Sequence, residues 1–203
     1  RTKDFTADPI DLLVPAVLPE AEPAAEIKRS WLPLSTVVRQ AGRNFLFKQF
    51  MPPGFFSRLI VRVLNAVGET AGGSHVLWRH GLVLTKETDV VLIEEVVEQA
   101  TVRAAIRGPI PAPMARLIFD AIYSLFTEIL KPTIQAVVPC VHCLAEGAAE
   151  IRSFPIEDCE RATIAGEQFM KCNDVPVRTD LVAPDMNLAD CDVPTVLFKE
   201  IAI

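Results

Sequence analysis

Apolar residues recur every three or four positions in two segments of the chain, residues 55–67 and 112–130. This spacing places the apolar side chains on one face of an α-helix, so it predicts two amphipathic helices. The longer segment carries polar residues on its opposite side and is expected to pack on a β-sheet. Its apolar positions are Met114, Leu117, Ile118, Ala121, Ile122, Leu125, Phe126, Ile129 and Leu130.

Between these helices, residues 75–108 contain four short apolar stretches separated by breaks of two or three residues. Connections this short join antiparallel neighbours, so the pattern predicts a β meander. In the last stretch Val102, Ala104 and Ile106 share one face, which predicts a buried side. Thr101, Arg103 and Arg107 share the other, solvated side. The predicted strands are residues 76–79, 82–85, 90–97 and 101–107.

Residues 37–50 also favour β structure, interrupted by a turn-like stretch at residues 41–44, of sequence AGRN.

The positions of the prolines divide the chain into three predicted parts. Five of them fall within residues 1–35, so this part is expected to be an extended linker with one or two helical turns near residues 21–28. Residues 36–131 form the predicted core domain, and residues 132–203 a cysteine-containing segment with a short helix near residues 155–167.

The predicted fold class is α+β: an antiparallel β meander packed against a long amphipathic helix, with an extended Cys-containing C-terminal segment. Half of the 203 residues are hydrophobic and 23% are charged, which is enough apolar material for a buried core.

The net charge of −6 argues against nucleic-acid binding, since nucleic-acid binders carry more basic than acidic residues. No run of about 18 uncharged apolar residues is present, so no membrane span is expected. The chain begins with Arg1 and no leader, and is expected to be a piece of a longer protein.

No catalytic motif is found in the sequence. The phosphate-binding loop G-x-x-x-x-G-K-S/T, the dinucleotide motif G-x-G-x-x-G and the nucleophile motif G-x-S-x-G are all absent. The three histidines have no metal-ligand spacing among themselves. The residues alone leave three possibilities: a binding or dimerisation module, a regulatory piece of a larger enzyme, or an enzyme whose catalytic residues form no recognisable motif.

The cysteines form the one pattern typical of a metal site. Cys140 and Cys143 make a C-x2-C pair, and Cys159 and Cys172 follow at longer spacing. Four thiolates build a tetrahedral zinc site, but the second pair lacks its own C-x2-C spacing, so buried free thiols are the alternative. A zinc site here favours a zinc-stabilised adaptor or peptide-binding module. An odd count of five cysteines fits a reducing compartment and predicts a cytoplasmic location.

Six segments, in order along the chain, resemble the COR domain of Roco proteins. Residues 13–19, LVPAVLP, resemble the link from the first COR half to the second. Residues 50–62, FMPPGFFSRLIVR, resemble the COR signature F-x-P-x-G-F/W-x-x-R-x-I-x-R. Residues 78–84, WRHGLVL, resemble the W-x-x-G-L strand pair that follows it.

The remaining three segments lie in the C-terminal third. Residues 138–143, VPCVHC, resemble V-P-C-x-x-C, and residues 154–159, FPIEDC, resemble F-x-M-E-D-C. Residues 182–185, VAPD, together with Ala189 and Asp190, resemble the V-P-E-L-x-x-x-D run that leads into the kinase domain. The chain is therefore similar to the C-terminal half of COR, and most similar to that of the leucine-rich-repeat serine/threonine kinases.

This resemblance implies a non-catalytic regulatory and dimerisation module for signalling, which couples the nucleotide state of a Roc GTPase domain to a kinase domain. GTP and ATP are then bound only by other domains of the parent protein, and this chain needs no cofactor apart from the candidate zinc. The implied partners are a second copy and the Roc and kinase domains. The residues expected at the homodimer interface are Phe55, Phe56, Arg58, Leu59, Arg62 and Trp78. For the two arginines, the alternatives are a solvated helix face or a brace for an internal carboxylate.

Overall fold

A computed structural model describes residues 17–31, 33–35, 37–48, 50–67, 74–128 and 134–186. The helices are α1 (Ala24–Ser30), α2 (Phe55–Val67), α3 (Ala112–Glu128), α4 (Val141–Ala145), α5 (Ile156–Ile164) and α6 (Thr179–Val182). The strands are β1 (Arg39–Phe47), β2 (Ser74–Trp78), β3 (Gly81–Lys86), β4 (Asp89–Val96), β5 (Thr101–Gly108), β6 (Ile134–Pro139), β7 (Ser153–Pro155), β8 (Phe169–Cys172) and β9 (Val175–Arg178). Short 3-10 turns span Val97–Gln99 and Pro184–Met186.

Seven of these strands pair in one antiparallel sheet, in the order β2-β3-β4-β5-β1-β6-β7. The predicted meander is confirmed as β2 to β5, each strand within two residues of its predicted bounds. On β5 the predicted buried residues Val102, Ala104 and Ile106 are at most 1% exposed. Thr101 differs from the prediction, because it is buried and its hydroxyl donates to the Gln99 carbonyl over 2.9 Å.

Helices α2 and α3 pack side by side on one face of the sheet. The predicted helix at residues 55–67 is confirmed, and the longer helix is confirmed as far as Glu128, since residues 129 and 130 lie outside the described residues. Aromatic rings fill the space between the helices and β1. The Phe55 and Phe126 rings stack with centroids 5.0 Å apart, and Phe45 meets Phe126 at 5.6 Å. The α+β fold class is therefore confirmed.

The predicted turn at residues 41–44 is wrong, because β1 runs through it without interruption. This strand precedes the meander in sequence but lies between β5 and β6, so both of its edges are paired. Pairing on two sides outweighs the local turn preference of the AGRN stretch. Side chains of Ala41, Arg43 and Phe45 alternate onto the helix-covered face, and Phe45 is completely buried.

Two glycines of the COR-like motifs have specific structural reasons. Gly54 has a φ of +72° directly before α2, a conformation that favours glycine. At Gly81, a Cβ atom would lie 2.0 Å from Cζ2 of Trp78, so any side chain there would displace the indole ring. The W-x-x-G spacing thus lets Trp78 lie flat across the β2–β3 hairpin.

The cysteine-containing segment is more ordered than the extended segment that the sequence predicts. Strands β6 and β7 add to the main sheet, and the short helix expected near residues 155–167 is confirmed as α5. Strands β8 and β9 form a separate two-stranded hairpin. Residues 187–203, which include Cys191, lie outside the described residues.

The incoming segment, residues 17–31, packs on the opposite face of the sheet from α2 and α3. Ile27 and Trp31 contact a small cluster formed by Trp78, Val83 and Val90. The guanidinium of Arg107 lies 4.4 Å above the Trp31 ring. The expected helical turns are present as α1, and residues 1–16 lie outside the described residues. Within the described ranges, no helix has the length and apolarity needed to cross a bilayer.

The aromatic core yields a direct test of the fold. Phe126 is 5% exposed and touches four other rings, so Phe126→Ala is expected to lower the free energy of unfolding by about 3–5 kcal/mol. Phe50→Ala is the matched control, because Phe50 is 61% exposed and its truncation should change that free energy by less than about 0.5 kcal/mol. Urea denaturation followed by circular dichroism measures both values. Equal losses in the two variants would contradict this core.

Candidate functional site

Four of the six predicted interface residues lie inside the chain's own core. Each is at most 3% exposed, and they are Phe55, Phe56, Leu59 and Trp78. The chain itself covers these four side chains, and their contact with a second copy stays a prediction. The apolar face of α2 carries the first three against the sheet, and the incoming segment covers Trp78.

The two predicted interface arginines have different surroundings. Arg62 donates from Nη1 and Nη2 to the Glu128 carboxylate over 2.8 and 2.6 Å, and from Nη1 to the Ser124 hydroxyl over 2.7 Å. It therefore braces α2 against α3, which was the carboxylate-brace alternative. This pair is partly exposed, so its contribution to stability is at most about 1 kcal/mol. Arg58 lies exposed on α2, one helical turn before the partly exposed Val61.

A buried ion pair connects the C-terminal part of the chain to the centre of the sheet. Arg43 points from β1 into the helix-covered side, where its Nη2 donates to Oδ2 of Asp185. The two side chains are 11% and 5% exposed. Arg116 of α3 donates from Nε to the Asp185 carbonyl over 2.7 Å. We call Arg43, Arg116 and Asp185 the outgoing clamp, because they hold the turn Pro184–Met186 immediately before residue 187.

The clamp lies in an apolar setting that strengthens its electrostatics. The Arg43 guanidinium lies 4.3 Å from the centroid of the Phe119 ring, within the range of a cation–π interaction. Burial raises the pKa of Tyr123, so the phenol stays neutral near pH 7. Burial, with the charge of Asp185 as the next cause, raises the pKa of the Cys159 thiol to about 12. Removing one partner of a buried ion pair typically costs about 3–5 kcal/mol, since the other charge is left uncompensated.

Three of the four predicted metal ligands converge. The Sγ atoms of Cys140, Cys143 and Cys172 all lie within 4.8 Å of one another, and all three residues are buried. The Sγ atoms of Cys143 and Cys172 are 3.5 Å apart. We call these residues the cysteine cluster. Cys159 is not a member, because the buried face of α5 turns it toward Asp185 and Arg43.

The thiols of the cysteine cluster differ in pKa. A hydrogen bond from the backbone N–H of Arg152 lowers the pKa of Cys143. Burial, together with hydrogen bonds from the other two cysteines, raises the pKa of Cys172 to about 12. Cys143 is therefore the thiol that ionises more readily of these two.

A groove of about 330 Å³ lies beside the cluster, between the start of β1 and the β8–β9 hairpin. Its lining includes Arg39, His142 and Arg178, and the described lining residues contain no acidic side chain. The lining includes Ser35, whose Oγ accepts hydrogen bonds from the backbone N–H groups of Val37 and Val38. The groove is thus basic and shallow.

The outgoing clamp was not predicted from the sequence. Its ion-paired residues are 142 positions apart, so no local spacing relates them. One signal was available: Arg43 alternates with Ala41 and Phe45, which places a charge on the apolar side of a strand. A buried charge of this kind requires a partner elsewhere in the chain.

Comparison with known proteins agrees with this fold and its motifs. A family model described as "C-terminal of Roc, COR-B domain" matches residues 38–190. In Dictyostelium discoideum, "Probable serine/threonine-protein kinase pats1" is 30% identical over 194 residues, which are 94% of this chain and 6% of that protein. "Probable serine/threonine-protein kinase roco6" is 26% identical over 88% of this chain and 9% of its own length.

A third relative from the same organism, "Cyclic GMP-binding protein C", is 25% identical over 76% of this chain and 6% of its own length. The chain thus spans less than a tenth of each of these three relatives. The family model begins just before β1 and extends past the outgoing clamp, so it includes the whole sheet and the cysteine cluster. The matched range and the motifs together show that this chain belongs to the COR-B family, the C-terminal part of the COR domain of Roco proteins.

Proposed function

We propose that this COR-B domain is a non-catalytic regulatory module, which relays the nucleotide state of a Roc GTPase domain to a kinase domain of the same protein. The family description names Roc, and two relatives are named as probable serine/threonine kinases. The proposal includes homodimerisation and a cytoplasmic location. The location is supported by the four described cysteines, none of which is in a disulfide, as a reducing compartment favours.

The observation that carries the relay is the outgoing clamp. Asp185 is held by Arg43 at the central strand and by Arg116 on α3, so the turn Pro184–Met186 is fixed to both layers of the core. Packed interiors are stiff and transmit displacement. A movement of the sheet therefore moves the start of the outgoing chain with it.

The incoming segment is held more weakly, on the opposite face of the sheet. Its ion pair, between Glu20 and Arg79, has side chains that are 75% and 44% exposed, so it adds less than about 1 kcal/mol. The Pro19 carbonyl accepts one backbone hydrogen bond from Arg79 over 2.7 Å. A weakly held incoming segment and a firmly held outgoing turn suit a relay. The incoming segment can rearrange with the Roc domain, and the core, as one rigid body, then moves the outgoing turn.

The relay is tested with Asp185→Asn in the full-length parent protein. Allosteric coupling free energies are typically about 1–3 kcal/mol, or roughly 5–150-fold in an equilibrium. In the unaltered protein the kinase activity is expected to differ between a GTP analogue and GDP. We expect this difference to be nearly lost in the variant, because the outgoing turn is released. Steady-state phosphorylation with each nucleotide measures the response, and GTP hydrolysis is expected to persist.

Asp158→Asn is the matched control, because it removes the same charge from an exposed pair with Arg161 on α5. Its nucleotide response should equal that of the unaltered protein. Thermal unfolding of each variant shows whether the domain is folded at the assay temperature. A folded Asp185→Asn protein with a full nucleotide response would contradict the relay.

Homodimerisation has its own test on the exposed side of α2. Arg58 and Val61 are neighbours there, and an arginine beside an apolar side chain is common at protein interfaces. We expect concentration-dependent dimerisation of the chain in sedimentation velocity, weakened by combined Arg58→Glu and Val61→Glu substitution. Ile164→Glu, at an 87% exposed position on α5, should leave the dimer unchanged. A chain that remains monomeric at high micromolar concentration would remove dimerisation from the proposal and leave the relay intact.

A further inference from the structure

We propose that Cys140, Cys143 and Cys172 bind one Zn²⁺ ion, which fastens the β8–β9 hairpin to the end of β6. The three sulfur atoms come from two parts of the chain that are far apart in sequence and meet in the core. The site is independent of the relay, so either proposal can fail without the other.

The sulfur positions fit a zinc ion. Zinc–sulfur bonds of about 2.3 Å in a tetrahedron place the sulfur atoms roughly 3.8 Å apart. The Cys143–Cys172 separation is 3.5 Å, and no pair in the cluster exceeds 4.8 Å. Shifts of a few tenths of an ångström to about one ångström therefore bring all three sulfurs onto one metal ion.

The backbone forms two turns that face each other across the cluster. Cys140 ends the β6 connection at the start of α4, and Cys143 follows one helical turn later. Cys172 ends β8 and is followed by Asn173 and Asp174, whose positive φ values of 49° and 65° make the tight hairpin turn. A C-x2-C turn opposite a cysteine at a hairpin turn is an arrangement suited to zinc, because each turn presents its sulfur toward the other.

A disulfide accounts for the cluster less well. The 3.5 Å separation of Cys143 and Cys172 is far beyond the roughly 2.05 Å of an S–S bond. A disulfide would also use two sulfur atoms and leave the third buried beside it without a role. Zinc uses all three.

Arg152 supplies the surroundings that a zinc–thiolate site needs. Its backbone N–H donates to the Cys143 sulfur, and its carbonyl accepts from the Cys140 backbone N–H over 2.7 Å. Its guanidinium donates to Oδ1 of Asn173 in the hairpin turn. Zn²⁺ with three thiolates has a net charge of −1, which this neighbouring cation offsets.

The hairpin has few other attachments. On β8 and β9 only Cys172 and Val177 are buried, and the remaining strand residues are partly or fully exposed. An isolated two-stranded hairpin is marginally stable in water. A metal bond at Cys172 therefore provides the anchor that the apolar contacts of this hairpin lack.

Three protein ligands leave the fourth position of tetrahedral zinc to water. Among the described residues, the metal-ligating group contains only these three, and Cys159 is turned toward Asp185. Three protein ligands and one water are typical of catalytic zinc sites, whereas structural zinc sites usually have four protein ligands.

Elemental analysis tests the site on the chain purified without a polyhistidine tag and without chelator. We expect one zinc ion per chain, lost in Cys143→Ser and in Cys172→Ser. Cys159→Ala is the matched control and should retain the full zinc content. Equal zinc in the Cys172→Ser protein, or no zinc with added Zn²⁺ in the unaltered chain, would overturn the proposal.

Cobalt substitution keeps the test independent of variants that fail to fold. The unaltered chain with Co²⁺ should show the ligand-field bands of a tetrahedral ion and a thiolate-to-cobalt charge-transfer band, displaced by one equivalent of Zn²⁺. Chelator should then lower the melting temperature, because binding energy is part of folding energy at such sites. Absence of the charge-transfer band, or a Cys143–Cys172 disulfide found by mass spectrometry in the freshly purified chain, would contradict zinc binding.

Discussion

A guanidinium on the buried side of a central strand constrains the whole C-terminal half of this domain. Arg43 lies on β1, which is paired on both edges, and its side chain points under α3. A charge in that position is unfavourable unless a counter-charge reaches it. Asp185 supplies that counter-charge from the last described turn of the chain, so the turn Pro184–Met186 lies against β1 and α3. This pair and the Arg116 hydrogen bond fix the position of the turn Pro184–Met186.

The incoming and outgoing segments attach to opposite faces of the same sheet, and with different strength. Exposed and aromatic contacts hold residues 17–31, whereas a buried ion pair and the Arg116 hydrogen bond hold Pro184–Met186. The seven strands between them are paired without a break, so the sheet behaves as one body between two attachments. This asymmetry is the physical basis of the proposed relay, because the weak contact can rearrange while the strong one follows.

Much of the fold was predictable because its signals are local. The helical period of α2 and α3 and the short breaks of the meander depend only on neighbouring residues. The AGRN stretch misled for the same reason, since turn preference is local and pairing with β5 and β6 is not. The predicted interface residues on α2 show a different limit of local signals. Apolar periodicity shows that Phe55 and Leu59 are buried, but it does not show whether the same chain or a second copy covers them.

Proximity among the cysteines was also predictable where the signal is local and not where it depends on packing. The spacing of Cys140 and Cys143 predicts a shared site, and the structure brings them together. That Cys172 joins them while Cys159 does not depends on how the hairpin and α5 pack, which no spacing in the sequence specifies. The outgoing clamp joins residues 142 positions apart, and only the charge on the apolar face of β1 indicated that a partner existed.

Hydrogen–deuterium exchange of the outgoing turn is the most direct test of the clamp. The Met186 amide donates to the Ala183 carbonyl over 3.1 Å, and the Ala183 amide donates to the Thr179 carbonyl over 3.0 Å. If the clamp makes this turn part of the core, these amides should exchange about as slowly as those of β1, and Asp185→Asn should accelerate them without affecting β1. Fast exchange at Ala183 and Met186 in the unaltered chain, alongside a protected β1, would contradict the account.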